Sequence, residues 1–409
     1  MALDTQPMET VTVSQDRSDR LTLIFSAFLS GLAFVLPISI ALSNVMWGGA
    51  LLMGLGLWAR NKFRVNWTGV ELPWILLLVS GIVAAAGADN PARAIRSLRG
   101  EILVAIFLLA AHGVGDGWKQ LRLFSSGAII AAVWGLVQKG VGLEGPLSIP
   151  WLGRLICLKS GRSPGFYSHP ITFAEMLLLA GALILGLGLA GRMRRWVPAL
   201  AAVSAAALLS QTRGVWLGMG FLLMAWTVLR WDRRVAQVLS ILVITLGLVF
   251  VLSSDLRHRV ASISDTKTDV SNRIRMGLWE KSVESIRNRP VIGVGPGHFR
   301  VKGADLRYSG EYEPQRVWTE THNVYLQVAV ERGFVGLGLF ILFLASVGRL
   351  LWSAARVQPA LWGLFFGFLG LMAAGMTESW YNDSEILMCL FFLVGTAWRL
   401  SHTPTNEVT

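Results

Sequence analysis

Charge is scarce in this chain. Only 15% of its 409 residues are Asp, Glu, Lys or Arg, whereas 53% are hydrophobic. Soluble domains carry about 25% charged residues, so an ordinary soluble fold is excluded. Cysteine is scarcer still. The two present, Cys157 and Cys389, cannot build a disulfide framework, and a bond between them is not expected. Histidines are few and scattered, without His-x-x-x-His spacing or acidic partners at ligand distance, so no metal site and no cofactor are predicted. The glycine-rich stretch Gly293-Val294-Gly295-Pro296-Gly297 lacks a following Lys-Ser/Thr and a strand before it. That excludes a P-loop. No small-x-small cleavage site follows the first apolar run, which predicts a retained first span rather than a signal peptide. No internal repeat is visible.

What is present is a succession of apolar runs. A helix needs roughly 20 apolar residues to cross a bilayer. Suitable stretches are 21–43, 45–59, 72–88, 101–115, 121–140, 170–190, 196–211, 213–230, 235–253, 323–347, 360–379 and 386–400. The expected fold class is an all-α polytopic membrane protein with about twelve transmembrane helices. Three regions follow: a transmembrane bundle of about nine spans over 1–253, a long polar loop over 254–322, and C-terminal spans with a tail over 323–409.

The net charge is +12. Much of it lies in short loops between spans, where topology and lipid headgroups account for it better than nucleic acid does. An N-terminus inside places Arg60/Lys62/Arg64, Lys119/Arg122, Arg192/Arg194/Arg195, Arg230/Arg233/Arg234 and Arg349/Arg356 in the cytoplasm, as the positive-inside rule requires. Both termini are then cytoplasmic. A turn at 43–45 and an acidic loop at 378–385 fall outside.

Three outer segments break the rule. Residues 89–100 carry Arg93, Arg96 and Arg99. Residues 141–169 carry Arg154, Lys159, Arg162 and His169. Residues 254–322 carry Arg275 and end on His322. Basic residues on the arginine-poor side point to an anionic ligand, a lipid phosphate above all. Arg213 sits at the outer junction of two spans with almost no loop. It is either a snorkelling anchor or a guanidinium facing a cavity, and Gly214 beside it would let a ligand approach closely. Arg162 and His169 share a Pro/Gly-fixed loop that ends at Pro170, a helix-starting position. Residues 272–287 read as an amphipathic helix, with Ile274, Leu278, Val283 and Ile286 near one face. Arg275 on it is either solvated or turned to a site. His322 suits a general base at neutral pH, with Glu320 or Asn323 to orient it. Glu331 and Arg332 either pair within the next apolar stretch or mark its re-entry.

Four motifs, taken in order, carry a family resemblance: Arg162…Gly165…His169-Pro170; Thr212-Arg213-Gly214; Arg275-Met276-Gly277-Leu278-Trp279 running on to Pro290-Val291-Ile292-Gly293-Val294-Gly295; and His322-Asn323-Val324-Tyr325-Leu326 with Glu331-Arg332-Gly333. Together they resemble the O-antigen ligase family and its relatives, the Wzy-type polymerases and the bacterial O-oligosaccharyltransferases. The resemblance covers about the C-terminal two thirds of the chain. It implies an inverting, metal-independent glycosyltransferase of the GT-C-like class in a Gram-negative inner membrane, with a periplasmic active site. The donor it implies is O-antigen glycan on undecaprenyl diphosphate, and the acceptor is lipid A–core oligosaccharide.

In those terms Arg213 and Arg275 are expected at the donor pyrophosphate, with Arg162 as a third contact. His322 takes the acceptor proton, and His169, Glu320 and Asn323 support it. Arg273, Arg287 and Arg289 are alternatives to Arg275, and Arg93, Arg96 and Arg99 would suit acceptor phosphates. The long loop would move to admit and cover substrates. Polymerase, protein O-oligosaccharyltransferase and lipid-linked glycan transporter remain alternatives. A compact chain with one large loop favours the ligase.

Overall fold

The computed structural model describes residues 20–142, 157–158, 161–191, 193–230, 233–252, 254–261, 269–306 and 315–403. Arg154, Lys159, Arg192 and most of loop 141–161 lie outside the described residues. Helices follow the apolar runs: α1 Arg20–Val35, α2 Ile40–Ala59, α3 Glu71–Ala86, α4 Pro91–Ser97, α5 Val104–His112, α6 Gly117–Val141, α7 Pro170–Ala190, α8 Met193–Leu209 and α9 Arg213–Leu229. They continue as α10 Arg233–Leu252, α11 Ser254–Ala261, α12 Val270–Asn288, α13 Val324–Val357, α14 Trp362–Ala374 and α15 Ser384–His402. Among the described residues the strands are two short ones, β1 Val301–Lys302 and β2 Val317–Trp318, paired antiparallel with Val301 opposite Trp318.

Five of the described helices are long and apolar enough to cross a membrane, namely α2, α6, α7, α13 and α15. Shorter apolar helices accompany them, α1, α3, α9 and the segment Pro359–Ala374. The architecture is that of an all-α, multi-pass membrane protein. Two expected boundaries shift. The turn expected at 43–45 lies at 36–39 instead, where Pro37 cannot continue α1 and Ser39 caps α2 by accepting from the Leu42 N–H. The run 101–115 is not one span: residues 98–103 form a 3₁₀ turn and α5 has only 9 residues.

Burial separates central from peripheral helices. In its most apolar window α7 is 83% buried and α15 78%, whereas α2 is 22% buried. A helix apolar on every side belongs in the interior, so α7 and α15 form the centre and α2 presents its face to lipid. Lipid supplies no hydrophobic force between helices, so close approach depends on small residues. α14 obeys this on two sides. A Cβ on Gly186 of α7 would sit 2.8 Å from the Gly363 nitrogen, and one on Gly218 of α9 would sit 2.5 Å from the Gly370 carbonyl oxygen.

The feature that positions the site is a break in α13. Gly333 has φ +66°, and a Cβ there would lie 2.1 Å from the Val291 carbonyl oxygen. The break leaves backbone groups of the helix unsatisfied. Residues 290–295 fill the gap: Phe334 N–H donates to the Pro290 carbonyl at 2.8 Å, Val294 N–H to Val330 at 2.9 Å and Gly295 N–H to Glu331 at 3.0 Å. Glu331 Oε1 also accepts from Gln327 Nε2 (2.8 Å) and from the Gly297 N–H (3.0 Å). Arg332 does not pair with Glu331. It reaches Glu101 at 2.6 Å and the Leu77 carbonyl at 3.2 Å, and Tyr381 donates to the other Glu101 oxygen. The Pro290–Gly297 and Glu331-Arg332-Gly333 motifs are therefore a strut. They hold the first turns of α13, which begin immediately after His322 and Asn323.

Candidate functional site

At one end of the bundle a cavity of about 450 Å³ opens between the starts of four helices, within the size range of small-molecule sites. Arg162 and His169 reach it from the loop before α7. Thr212 and Arg213 come from the α8–α9 turn, Asp269 and Arg275 from α12, Arg316 and Trp318 from β2 and the residues before it, His322 from the loop before α13, and Glu378 from the segment after α14. The N-terminal ends of α7, α9, α12 and α13 therefore gather around one space. Unpaired N–H groups and the helix dipole make such ends favourable places for an anion.

Each arginine is anchored. Arg162 Nε donates to the Ser210 carbonyl at 2.7 Å and its Nη2 to Thr212 Oγ1 at 2.7 Å, which ties its loop to the α8–α9 turn. Arg213 Nη2 lies 2.7 Å from Asp269 Oδ2, and its Nη1 donates to Asn272 Oδ1 at 2.8 Å. Arg275 Nη2 lies 2.7 Å from Glu378 Oε1. Asp269 also caps α12, accepting from the Asn272 N–H at 2.9 Å, so the helix begins at Val270 rather than at residue 272. Gly214 does admit a close neighbour, but that neighbour is the protein itself. An added Cβ would meet Thr377 Oγ1 at 2.5 Å and Glu378 Cγ at 2.7 Å.

His322 is held rigidly. Its φ of +51° is in the left-handed region, uncommon for a residue with a Cβ and often found where neighbours over-determine a functional position. The neighbours are visible. Trp279 Nε1 donates to the Thr321 carbonyl at 3.0 Å, and the Thr321 N–H donates to Gln327 Oε1 at 2.8 Å. Burial is the main cause that pulls the imidazole pKa down to about 4, followed by the positive charge of Arg275, His169 and Arg316. The ring is therefore neutral at pH 7. Its Nδ1 faces Glu378 Oε2 at 3.9 Å, the side on which a carboxylate favours the tautomer with hydrogen on Nδ1. Burial outweighs this neighbouring negative charge.

Arg162, His169, Arg213, Arg275 and His322 come together in one cavity, although they span 161 positions of sequence from Arg162 to His322. Two expected supporters are placed otherwise. Asn323 caps α13 instead, its Oδ1 accepting from the Tyr325 and Leu326 N–H groups. Glu320 is exposed and lines no part of the cavity. His169 lines the cavity while capping α7, its Nδ1 accepting from the Ile171 N–H. Of the alternatives to Arg275, Arg289 turns away to the Gly87 carbonyl and Asp89. Arg93, Arg96 and Arg99 lie outside the cavity.

Sequence reasoning missed Glu378, Asp269, Arg316 and Trp318. Asp269 had a signal, since an aspartate just before an amphipathic run marks a helix start. Glu378 is 103 positions from Arg275, and no spacing rule reaches that far.

The described residues thus form a multi-pass helical protein whose helix starts and arginines converge on one chamber. Residues 198–341, from α8 into α13, match the family model described as O-antigen ligase. That segment contains Arg213, Arg275 and His322. It leaves Arg162, His169 and Glu378 outside. No curated protein matches the chain.

Proposed function

We propose that this protein transfers O-antigen glycan from undecaprenyl diphosphate to lipid A–core oligosaccharide, as an inverting, metal-independent glycosyltransferase. The observation that carries the reading is the charge of the chamber. Four arginines and two carboxylates line it, a net surplus of two positive charges before the histidines are counted. A lipid diphosphate is a matching ligand, and it gains negative charge as the sugar–phosphate bond breaks.

The geometry supports a single displacement. Arg213 and Arg275, with Arg162 beside them, hold the diphosphate oxygens by charge-assisted hydrogen bonds. An acceptor hydroxyl approaches the anomeric carbon from the face opposite the leaving phosphate. His322 Nε2 takes its proton as the C–O bond forms. The old C–O bond breaks, and its electron pair leaves with the undecaprenyl diphosphate. One displacement inverts the anomeric centre. The guanidinium groups meet the leaving group's charge, so no general acid is needed.

Orientation supports a periplasmic reaction. The chamber lies at the end of α8, the start of α9 and the start of α13. The opposite ends of these helices carry Arg194/Arg195, Arg230 and Arg349/Arg356, the basic pattern of a cytoplasmic face. The inner membrane of a Gram-negative cell, with both termini cytoplasmic, is the matching location.

A Wzy-type polymerase is the second reading. One observation favours it: arginines from two outer segments, Arg162 from 141–169 and Arg275 and Arg316 from 254–322, meet in the same chamber. The chemistry would be unchanged and the acceptor would be another lipid-linked glycan. Gene deletion separates the two. A ligase leaves bare core on lipopolysaccharide gels and long glycan stranded on the carrier. Core bearing a single repeat unit would establish the polymerase instead.

A further inference from the structure

The donor assignment uses Arg162, Arg213 and Arg275 and leaves two lining residues, Arg316 and Trp318, without a task. Both belong to the β1–β2 ribbon. Pairing of Val301 with Trp318 and donation from the Gly303 N–H to the Arg316 carbonyl at 2.7 Å fix the ribbon. Trp318 is half-buried and packs against a small apolar cluster that includes Leu278, Phe299 and Val301. The Arg316 guanidinium lies over the indole, with its central carbon 4.1 Å from the ring centroid. The indole and the His322 imidazole meet edge to face, their centroids 6.1 Å apart at 67°.

Two features of this arrangement matter. An indole presents a broad apolar surface with a negative face, which suits the C–H face of a sugar ring. A guanidinium stacked on an aromatic ring keeps its N–H groups in its own plane, where they address a carboxylate or phosphate bidentately. A general base must lie within about 3 Å of the hydroxyl it deprotonates. A sugar resting on the Trp318 indole lies beside the His322 imidazole, whose centroid is 6.1 Å from that of the indole. The wall next to the base belongs to the acceptor, because the donor's diphosphate is held by the other arginines.

Resting on the transferase reading above, we propose that Trp318 and Arg316 form the acceptor subsite. Trp318 carries the acceptor sugar ring, and Arg316 recognises a negatively charged substituent on that sugar or its neighbour. Both are positioning residues that set acceptor specificity.

The test uses the purified full-length protein, lipid-linked glycan as donor, and bare-core lipopolysaccharide as acceptor. Arg316→Gln is expected to raise the acceptor KM about ten- to a hundredfold, the range for one lost charge-assisted contact. Its kcat and donor KM should stay within about twofold. Trp318→Leu is expected to do the same, and Trp318→Phe to restore part of the loss. A second arm alters the acceptor. Hydrogen fluoride removes its phosphates, and carbodiimide with borohydride reduces its carboxylates. Whichever treatment raises the wild-type KM, yet adds nothing in Arg316→Gln, identifies the anion. If neither treatment changes the wild-type KM, or if Arg316→Gln raises the donor KM instead, the proposal is overturned. Failure of the underlying reading has a different signature: the wild-type protein would transfer nothing to this acceptor, and the subsite would fall with it.

Discussion

Glu378→Gln is the most informative single substitution. Glu378 is 1% exposed, and its two oxygens face Arg275 at 2.7 Å and His322 at 3.9 Å. The amide keeps the shape and one acceptor oxygen but removes the charge. A hydrogen bond to a charged group contributes about 1.5–3 kcal/mol, and 1.36 kcal/mol is tenfold in rate. The expected loss in kcat is therefore about ten- to a hundredfold, with the protein still folded. The pH profile gives a second reading. A carboxylate beside an imidazole favours its protonated form, so removing it lowers the His322 pKa. Activity disappears as pH falls and His322 takes up a proton, so the acid limb of kcat in Glu378→Gln should move to lower pH while the plateau falls. The assay is initial-rate glycan transfer by purified protein from pH 4 to 9. Full activity, or an acid limb moved to higher pH, would refute the role given to Glu378.

Other expectations follow from the same contacts. Arg213→Ala should abolish transfer without loss of expression, and Arg213→Lys should recover little, because an ammonium cannot make both the Asp269 and the Asn272 contacts in one plane; gels of membrane fractions and transfer assays check both. The acid limb of kcat/KM, which reports the free enzyme, should centre near pH 4. That of kcat should lie at higher pH, since a bound diphosphate offsets the arginines that depress His322; coincident limbs would contradict this. Arg332→Leu should destabilise the bundle by about 3–5 kcal/mol by stranding Glu101, which is 7% exposed. The double variant with Glu101→Leu should recover part of it, as thermal unfolding followed by size-exclusion chromatography would show.

Much of the site was legible because it lies on local signals. Arg213 stands at a junction of two apolar runs, Pro170 marks a helix start directly after His169, and the apolar period of α12 places Arg275 on a helix. Those signals act over a few residues. What was not legible depends on long-range contact. Arg332 meets Glu101 across 231 positions, and Arg275 meets Glu378 across 103. The role of Glu331-Arg332-Gly333 was hidden for the same reason. Only the docked Pro290–Gly297 segment shows that Gly333 breaks α13 and that the motif supports His322 from behind. Asn323 reads two ways in the sequence because a cap and a catalytic orienter use the same residue types. The turn at 36–39 was displaced to 43–45 because apolar residues run through it, and hydropathy alone does not register Pro37.

The central claim is that one chamber binds a lipid diphosphate through its arginines and transfers the glycan through His322. The most direct measurement is a time course with purified protein, lipid-linked glycan and lipid A–core, run for wild type, Arg275→Ala and His322→Ala. Binding of undecaprenyl diphosphate should be measured alongside. The account predicts that wild type forms glycan-bearing lipopolysaccharide with an inverted linkage. His322→Ala should bind the lipid diphosphate yet transfer nothing, and Arg275→Ala should lose both. Transfer by His322→Ala at the wild-type rate, or a retained anomeric configuration in the product, would contradict it.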